Sequence, residues 1–235
     1  MPRLDWIADA SLETEVSQLL SIAKTAKENA NEDFGKNVID PFSAIFEMSG
    51  FGIDYETWLK SETTRQAQKT LQNHIGDFHQ NILGYSIGWT NMKVGSVVDL
   101  VSHEHKIIAE IKNKHNTISG GKLSDLYYSL DGLISPKSSI YKGFIAYYVT
   151  IIPKTQKRFN IPFTPSVKEK GERCPVNENI RQIDGASFYS LVTRSDNALE
   201  NLFDVLPNVI LECSHGKYVV KNIDKLKDFF NLAFE

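Results

Sequence analysis

Cysteine is nearly absent: the chain of 235 residues holds two, Cys174 and Cys213, far apart and without a partner motif. That number and spacing exclude a disulfide framework and a cysteine-based zinc site, and they point to a reduced, cytoplasmic setting. Long apolar runs are missing too. No stretch reaches the roughly 18 consecutive apolar residues of a spanning helix, so no membrane association is expected. Met1 to Glu15 is polar and acidic, without the apolar centre of a secretory signal. Internal repeats, low-complexity tracts and a linker dividing two domains are all lacking. Gly120-Gly121-Lys122 has neither the preceding glycine nor the following hydroxyl of a P-loop. His74 and His79 stand five apart, a poor spacing for a metal pair on a helix, and nothing resembles a nucleophile elbow.

What remains is the balance of a folded protein, with 41% apolar and 23% charged residues and enough length to bury a core without staples. The first third reads helical. Leu12, Val16, Leu19 and Leu20 recur at helical spacing after Ser11, a candidate N-cap. A short helix is expected after Asp40-Pro41, running through Phe42, Ile45 and Phe46 to Gly50 and Gly52. A longer one is expected over Tyr55 to Ile82, with Gly76 a possible interruption and Gly84 its stop. The cluster Phe42, Phe46 and Phe51 is most simply core.

The texture changes after Gly84. Ser96–Ser102 and Lys106–Lys112 read as two strands of a hairpin around the polar turn His103-Glu104-His105. A loop leads to a helix over Ser124–Ile134, capped by Ser124. Tyr141–Ile152 is the most apolar strand and is expected at the centre of the sheet. Pro162, Pro165 and Pro175 make regular structure unexpected over Pro153–Asn179. Helices are expected over Ala186–Thr193, Asp196–Leu206 and Asn222–Phe234, with a short strand near Val209–Leu211. Asp184-Gly185 reads as a structural cap. Together these predict one α/β (α+β mixed) domain, a central mixed sheet flanked by helices. It has a helical part at about 1–84, a core at about 85–152 and a C-terminal part at about 153–235.

The net charge of −3 argues against nucleic acid, but the distribution is uneven. Residues 101–180 carry 12 basic and 7 acidic side chains, against 8 and 14 in residues 1–100 and 6 and 8 in residues 181–235. Such a middle section can grip phosphate, since affinity follows the local field; it can equally be a solvated, lysine-rich surface.

The chemistry concentrates in Asp99 and Glu110-Ile111-Lys112. Alternation along a strand points Glu110 and Lys112 the same way, and the hairpin can bring Asp99 beside them. Two converging carboxylates repel unless a cation lies between them, and hard oxygen donors with open positions favour Mg²⁺. A lysine there can orient or activate water and stabilise charge on a phosphoryl group. The bland alternative is a salt bridge on a solvent-facing strand. Glu104-His105-Lys106 has the same acid-x-lysine form but lies in a polar turn. Directly after Lys112 come Asn113, Lys114, His115, Asn116 and Thr117, residue types that contact phosphates or read base edges and that also suit an ordinary surface loop.

Val98-Asp99 with Glu110-Ile111-Lys112 resembles the PD-(D/E)XK nuclease superfamily. The longer string Ala109–Thr117 resembles the type II restriction endonucleases that cleave GGNCC- or GGWCC-type sites. That likeness extends to Asp40-Pro41-Phe42, to Ile180–Tyr189 and to Ala198–Pro207, most of the chain. It implies an αβββαβ nuclease core, Mg²⁺ dependence, action on double-stranded DNA as a homodimer, and a cognate DNA methyltransferase protecting the host. By the same resemblance Asp99 and Glu110 are metal ligands, the Ile111 backbone carbonyl is a further ligand, and Lys112 positions or activates water. Val98 stands where the superfamily motif has proline; that side chain is no ligand, so only local backbone geometry is affected. Glu47, on the preceding helix, is a weaker metal candidate, because related nucleases supply an acid from such a helix. Lys93 and Lys122 are candidate phosphate contacts. The remaining alternatives are a structure-specific repair or recombination nuclease of the same fold and a DNA-binding module without activity.

Overall fold

In a computed structural model, residues 2–93, 95–119, 121–167 and 171–234 are described. The helical part comprises α1 (Asp9–Glu28), the one-turn α2 (Ala30–Asp33) with a 3₁₀ turn at Phe34–Lys36, α3 (Pro41–Phe51) and α4 (Tyr55–Gly84). Strands β1 (Thr90–Asn91), β2 (Leu100–Ser102) and β3 (Ile107–Lys114) follow, then α5 (Leu123–Ile134) and β4 (Ile145–Ile152). Beyond them lie β5 (Asn160–Pro162), β6 (Ser166–Val167), β7 (Glu172–Arg173), β8 (Ile180–Asp184), α6 (Gly185–Thr193), α7 (Ala198–Cys213) and α8 (Ile223–Phe234). The succession from α4 to β4 is αβββαβ, as the resemblance implied.

Six strands form one mixed sheet in the order β1-β2-β3-β4-β8-β5, with β3 and β4 in the middle, and β6 and β7 make a separate ribbon. The hairpin is present: β2 runs antiparallel to β3 with Leu100 opposite Ala109. Next, β3 and β4 run parallel, placing Glu110 opposite Tyr148 and Lys112 opposite Thr150. A parallel pair needs a crossover, and α5 supplies it.

Alternation along β3 divides the core into two layers. Ile107, Ala109 and Ile111 face a cluster with Leu12 and Val16 of α1, Phe78 and Ile82 of α4, Phe188 of α6 and Leu202 of α7. Ile108 faces a second cluster with Tyr127 and Leu130 of α5 and with Ala146 and Tyr148 of β4. Glu110 and Lys112 share the Ile108 side, so the strand turns its charged pair toward the α5 layer.

Two glycines allow close approach. A Cβ on Gly185 would lie 2.3 Å from the Ile151 carbonyl oxygen, so only glycine lets α6 start against β4. One on Gly84 would lie 2.9 Å from the Asn91 Cβ, where the end of α4 meets β1. Asp184 caps α6 as expected, its carboxylate accepting from the Ser187 N–H at 2.9 Å.

Several expectations are corrected. Helix α1 starts at Asp9 with Ala8 at its cap, so Ser11 lies inside it. Gly76 does not interrupt α4. In α5 the cap position is Lys122, and Ser124 donates back to the Gly121 carbonyl instead of capping. The strand expected at Ser96–Ser102 begins only at Leu100, and the one expected from Tyr141 begins at Ile145. The proline-containing connection carries β5, β6 and β7. No strand forms at Val209–Leu211: α7 runs through Pro207, because Leu202 and Val209 on either side are buried in the core. The phenylalanine cluster is not core: Phe42, Phe46 and Phe51 are 73%, 75% and 73% exposed. Gly120, like Lys168 and Lys170 of the basic section, lies outside the described residues. Among those residues no helix is long and apolar enough to cross a membrane.

Candidate active site

Asp99 stands immediately before β2, yet its backbone is fixed on both sides. Its N–H donates to the Ala109 carbonyl at 2.9 Å, and its C=O accepts from the Met92 N–H at 2.8 Å. Its carboxylate accepts the Ile111 N–H at 2.6 Å. The side chain thereby takes a backbone donor of β3 at the point where regular pairing with β2 ends. Three hydrogen bonds hold the residue, and the rigidity comes from the sheet.

The Glu110 carboxyl lies within hydrogen-bonding reach of Asp99. Lys112, two residues on along the same face, places Nζ 2.5 Å from Glu110 Oε1, and both side chains are largely buried. The expected convergence of Asp99, Glu110 and Lys112 is therefore what the hairpin produces.

Burial raises the Asp99 pKa above the ordinary carboxylate value, and the Ile111 N–H and the Lys112 ammonium oppose that rise. Burial also raises the Glu110 pKa, reinforced by the Asp99 charge and opposed by Lys112. For Lys112 burial would favour the neutral amine, but Glu110 first and Asp99 second outweigh it, so its pKa is raised. Two carboxyls resist ionising together beside a lysine that stays charged.

Two neighbours were not legible in the sequence. Asp77 of α4 adds to the negative field at Asp99. Nothing in the spacing links it to the hairpin; only the crossing of α4 over the sheet does. Tyr148 of β4 lies opposite Glu110, its hydroxyl pKa raised by burial and lowered in part by Lys112. A parallel register between the two apolar strands was the signal that could have found it. Glu47 sits on α3, where its carboxylate accepts the Trp58 indole N–H at 2.8 Å. Asp77, another acid of the helical part, contributes to the field at Asp99.

The polar segment after Lys112 begins in β3 and ends in a turn. Lys114, His115, Asn116 and Thr117 are exposed and Asn113 is half-buried. The Thr117 hydroxyl donates to the Lys114 carbonyl at 2.8 Å, so it shapes the turn, and the His115 N–H donates to the Ile152 carbonyl at 3.1 Å. The side chains of Lys114 and Asn116 are presented outward just past the carboxylates. Lys122 is exposed at the start of α5, and Lys93 is exposed with a left-handed backbone, φ 60°.

A carboxylate pair and a lysine held on adjoining strands of a mixed sheet, with helices on both faces, define the restriction-endonuclease-like class of hydrolase. Comparison with known proteins gives the family. The Eco47II restriction endonuclease family matches residues 4–214. The chain is 52% identical over 239 residues to the type II restriction enzyme Eco47II of Escherichia coli, covering all of both proteins. It is 32% identical over 208 residues to the type II restriction enzyme Sau96I of Staphylococcus aureus, covering 87% of this chain and 78% of that one. The chain belongs to the Eco47II restriction endonuclease family; it is a type II restriction enzyme, a hydrolase of DNA.

Proposed function

We propose that the protein hydrolyses one phosphodiester in each strand of double-stranded DNA at a short palindromic GG(N/W)CC-like site. It does so with Mg²⁺, as a homodimer and a single domain, in the cytoplasm, within a restriction–modification system whose DNA methyltransferase protects the host. The observation that carries this reading is the convergence of Asp99 and Glu110 beside Lys112.

The donor set fits a hard divalent cation. Asp99, Glu110 and the Ile111 backbone carbonyl offer oxygen; burial pushes both carboxyls toward their neutral forms, and the Asp99 charge pushes Glu110 further. A cation between them would relieve both penalties. Among the described residues no group of three or more His, Cys, Asp or Glu is placed to hold a metal. Mg²⁺ takes one or two carboxylates and keeps several waters, so Asp99 and Glu110 would be enough to hold it. When bound, the ion would supply Lewis acidity toward a phosphate oxygen. Lys112, whose pKa is raised by Glu110 and Asp99, is placed to orient or activate water and to stabilise charge on the phosphoryl group.

Asn113, Lys114, His115, Asn116 and Thr117 would meet the DNA beside this centre. Lys122 would serve as a phosphate contact and Lys93 as an outlying one. A two-fold protein matches a two-fold site, so each protomer would cut one strand. The test is digestion of unmethylated DNA with Mg²⁺ or EDTA, followed by sequencing of the fragment ends. Discrete Mg²⁺-dependent fragments ending at GGNCC or GGWCC are expected; a smear, or ends at unrelated sequences, would overturn the site assignment.

A further inference from the structure

The longest stretch of the chain without an acidic residue runs from Gly132 to Lys168, 37 positions that carry six basic side chains. Lys137 and Lys142 precede β4, and Lys154, Lys157 and Arg158 follow it. Strand β4 is parallel to the catalytic strand β3, with Ile152 opposite Lys114. The His115 N–H donates to the Ile152 carbonyl at 3.1 Å, which ties the two strand ends together. The chain after Ile152 therefore leaves the sheet beside Lys114, just past Glu110 and Lys112. Strand β8, parallel to β4, ends at the same edge with Asp184 opposite Thr150. Ligands of open parallel sheets collect outside the carboxyl ends of the strands.

The segment is anchored at both ends. Pro153 is buried, and the Phe159 N–H donates to the Asp184 carboxylate at 2.7 Å. Arg158 Nη2 donates to the Asp196 carbonyl at 3.0 Å, and Gln156 Nε2 to the Leu232 carbonyl at 3.1 Å. Between these anchors Lys154 and Lys157 are exposed, and among the described residues neither forms an ion pair.

We infer that Lys154 and Lys157 grip the phosphate backbone of the DNA strand being cut, beside the reacting phosphate. The inference rests on the Asp99–Glu110–Lys112 centre proposed above for where that strand lies. Strand β4 stands about 4.8 Å from β3. Duplex DNA carries one phosphate per roughly 3.4 Å of axis on each strand. A strand with its reacting phosphate at β3 thus brings the next ones over the end of β4. Three cations within five residues, with no acid among them, repel one another until phosphate arrives. Lysines are point charges on flexible stems, suited to holding backbone phosphates, which carry no sequence information.

The experiment is equilibrium binding of the full chain to a fluorescent DNA duplex in EDTA, read as anisotropy over a salt series. Lys154→Ala/Lys157→Ala is compared with Lys137→Ala/Lys142→Ala, a control of equal charge whose lysines are also exposed. The first variant should lower the slope of log affinity against log salt by about 1.8, two contacts at roughly 0.9 each. Between about 50 and 200 mM salt the wild type should then lose about 12-fold more affinity than that variant. The control should keep the wild-type slope, and Lys154→Arg/Lys157→Arg should restore it. An unchanged slope in the first variant, an equal fall in the control, or a wild type that binds no duplex would each overturn the inference. Plasmid digestion by the wild type with Mg²⁺ separates the two readings. Discrete fragments with an unaltered slope remove the lysine contacts alone; a lowered slope without discrete fragments removes only the proposed function.

Discussion

The Asp99 carboxylate accepts the Ile111 backbone N–H at 2.6 Å, so one of its oxygens belongs to the sheet, and the Glu110 carboxyl lies within hydrogen-bonding reach of the same side chain. Structure and chemistry meet in one side chain, and substitution can separate them. Asn at position 99 can still accept the N–H; Ala cannot. Asp99→Ala should be less stable than Asp99→Asn by about 1–3 kcal/mol, the cost of a buried donor left unpaired. Both should lose DNA cleavage. Thermal unfolding of the pair checks this, and equal midpoints would show that the hydrogen bond does not hold the site.

Metal binding should be visible without catalysis. Mg²⁺ at about ten times its dissociation constant should stabilise the protein by roughly 1.4 kcal/mol, or about 3–6 °C in a chain of this size. Asp99→Asn should lose that shift. A wild-type midpoint indifferent to Mg²⁺, or an undiminished shift in the variant, would place the metal elsewhere.

His79 lies on α4 with Nδ1 2.8 Å from the Tyr189 hydroxyl. Burial lowers its pKa to about 4 and raises that of Tyr189, so a protonated tyrosine donates to a neutral imidazole. The unfolded chain takes up its proton near pH 6.5, the native one only near pH 4. Stability is therefore lost as pH falls through that window, by up to about 1.4 kcal/mol per unit. The raised pKa values of Asp99 and Glu110 act in the opposite sense, so the test is a difference. Urea unfolding of wild type and His79→Gln at pH 7 and pH 5 should show the variant losing less on acidification; parallel losses would contradict the assignment.

Lys114 is exposed two residues beyond Lys112. As a phosphate contact it should set affinity and leave sequence choice alone. Lys114→Ala should weaken DNA binding at all sequences and reduce the salt dependence by about one counterion. Fragment patterns should stay the same. A changed cleavage pattern would make Lys114 a base reader.

The sheet and the catalytic hairpin were legible because strand alternation leaves a period-two mark. Ile107–Ala109 run apolar into the core, and Glu110 and Lys112 then share one face. The misreadings have a common cause, since hydrophobicity does not say which surface a side chain meets. Phe42, Phe46 and Phe51 look like core and lie on the outside of α3. Pro207 looks like a helix stop, yet α7 continues because its apolar stripe is buried beyond it. Asp77 was invisible because it reaches Asp99 only through the path of α4 across the sheet.

The most direct test is plasmid cleavage with Mg²⁺ by the wild type, Glu110→Gln and Lys112→Met, each first shown to be folded. Discrete fragments from the wild type and at least about a 100-fold loss of rate in both variants are the results expected if the Asp99–Glu110–Lys112 cluster does the chemistry. Cleavage by either variant at the wild-type rate would contradict it.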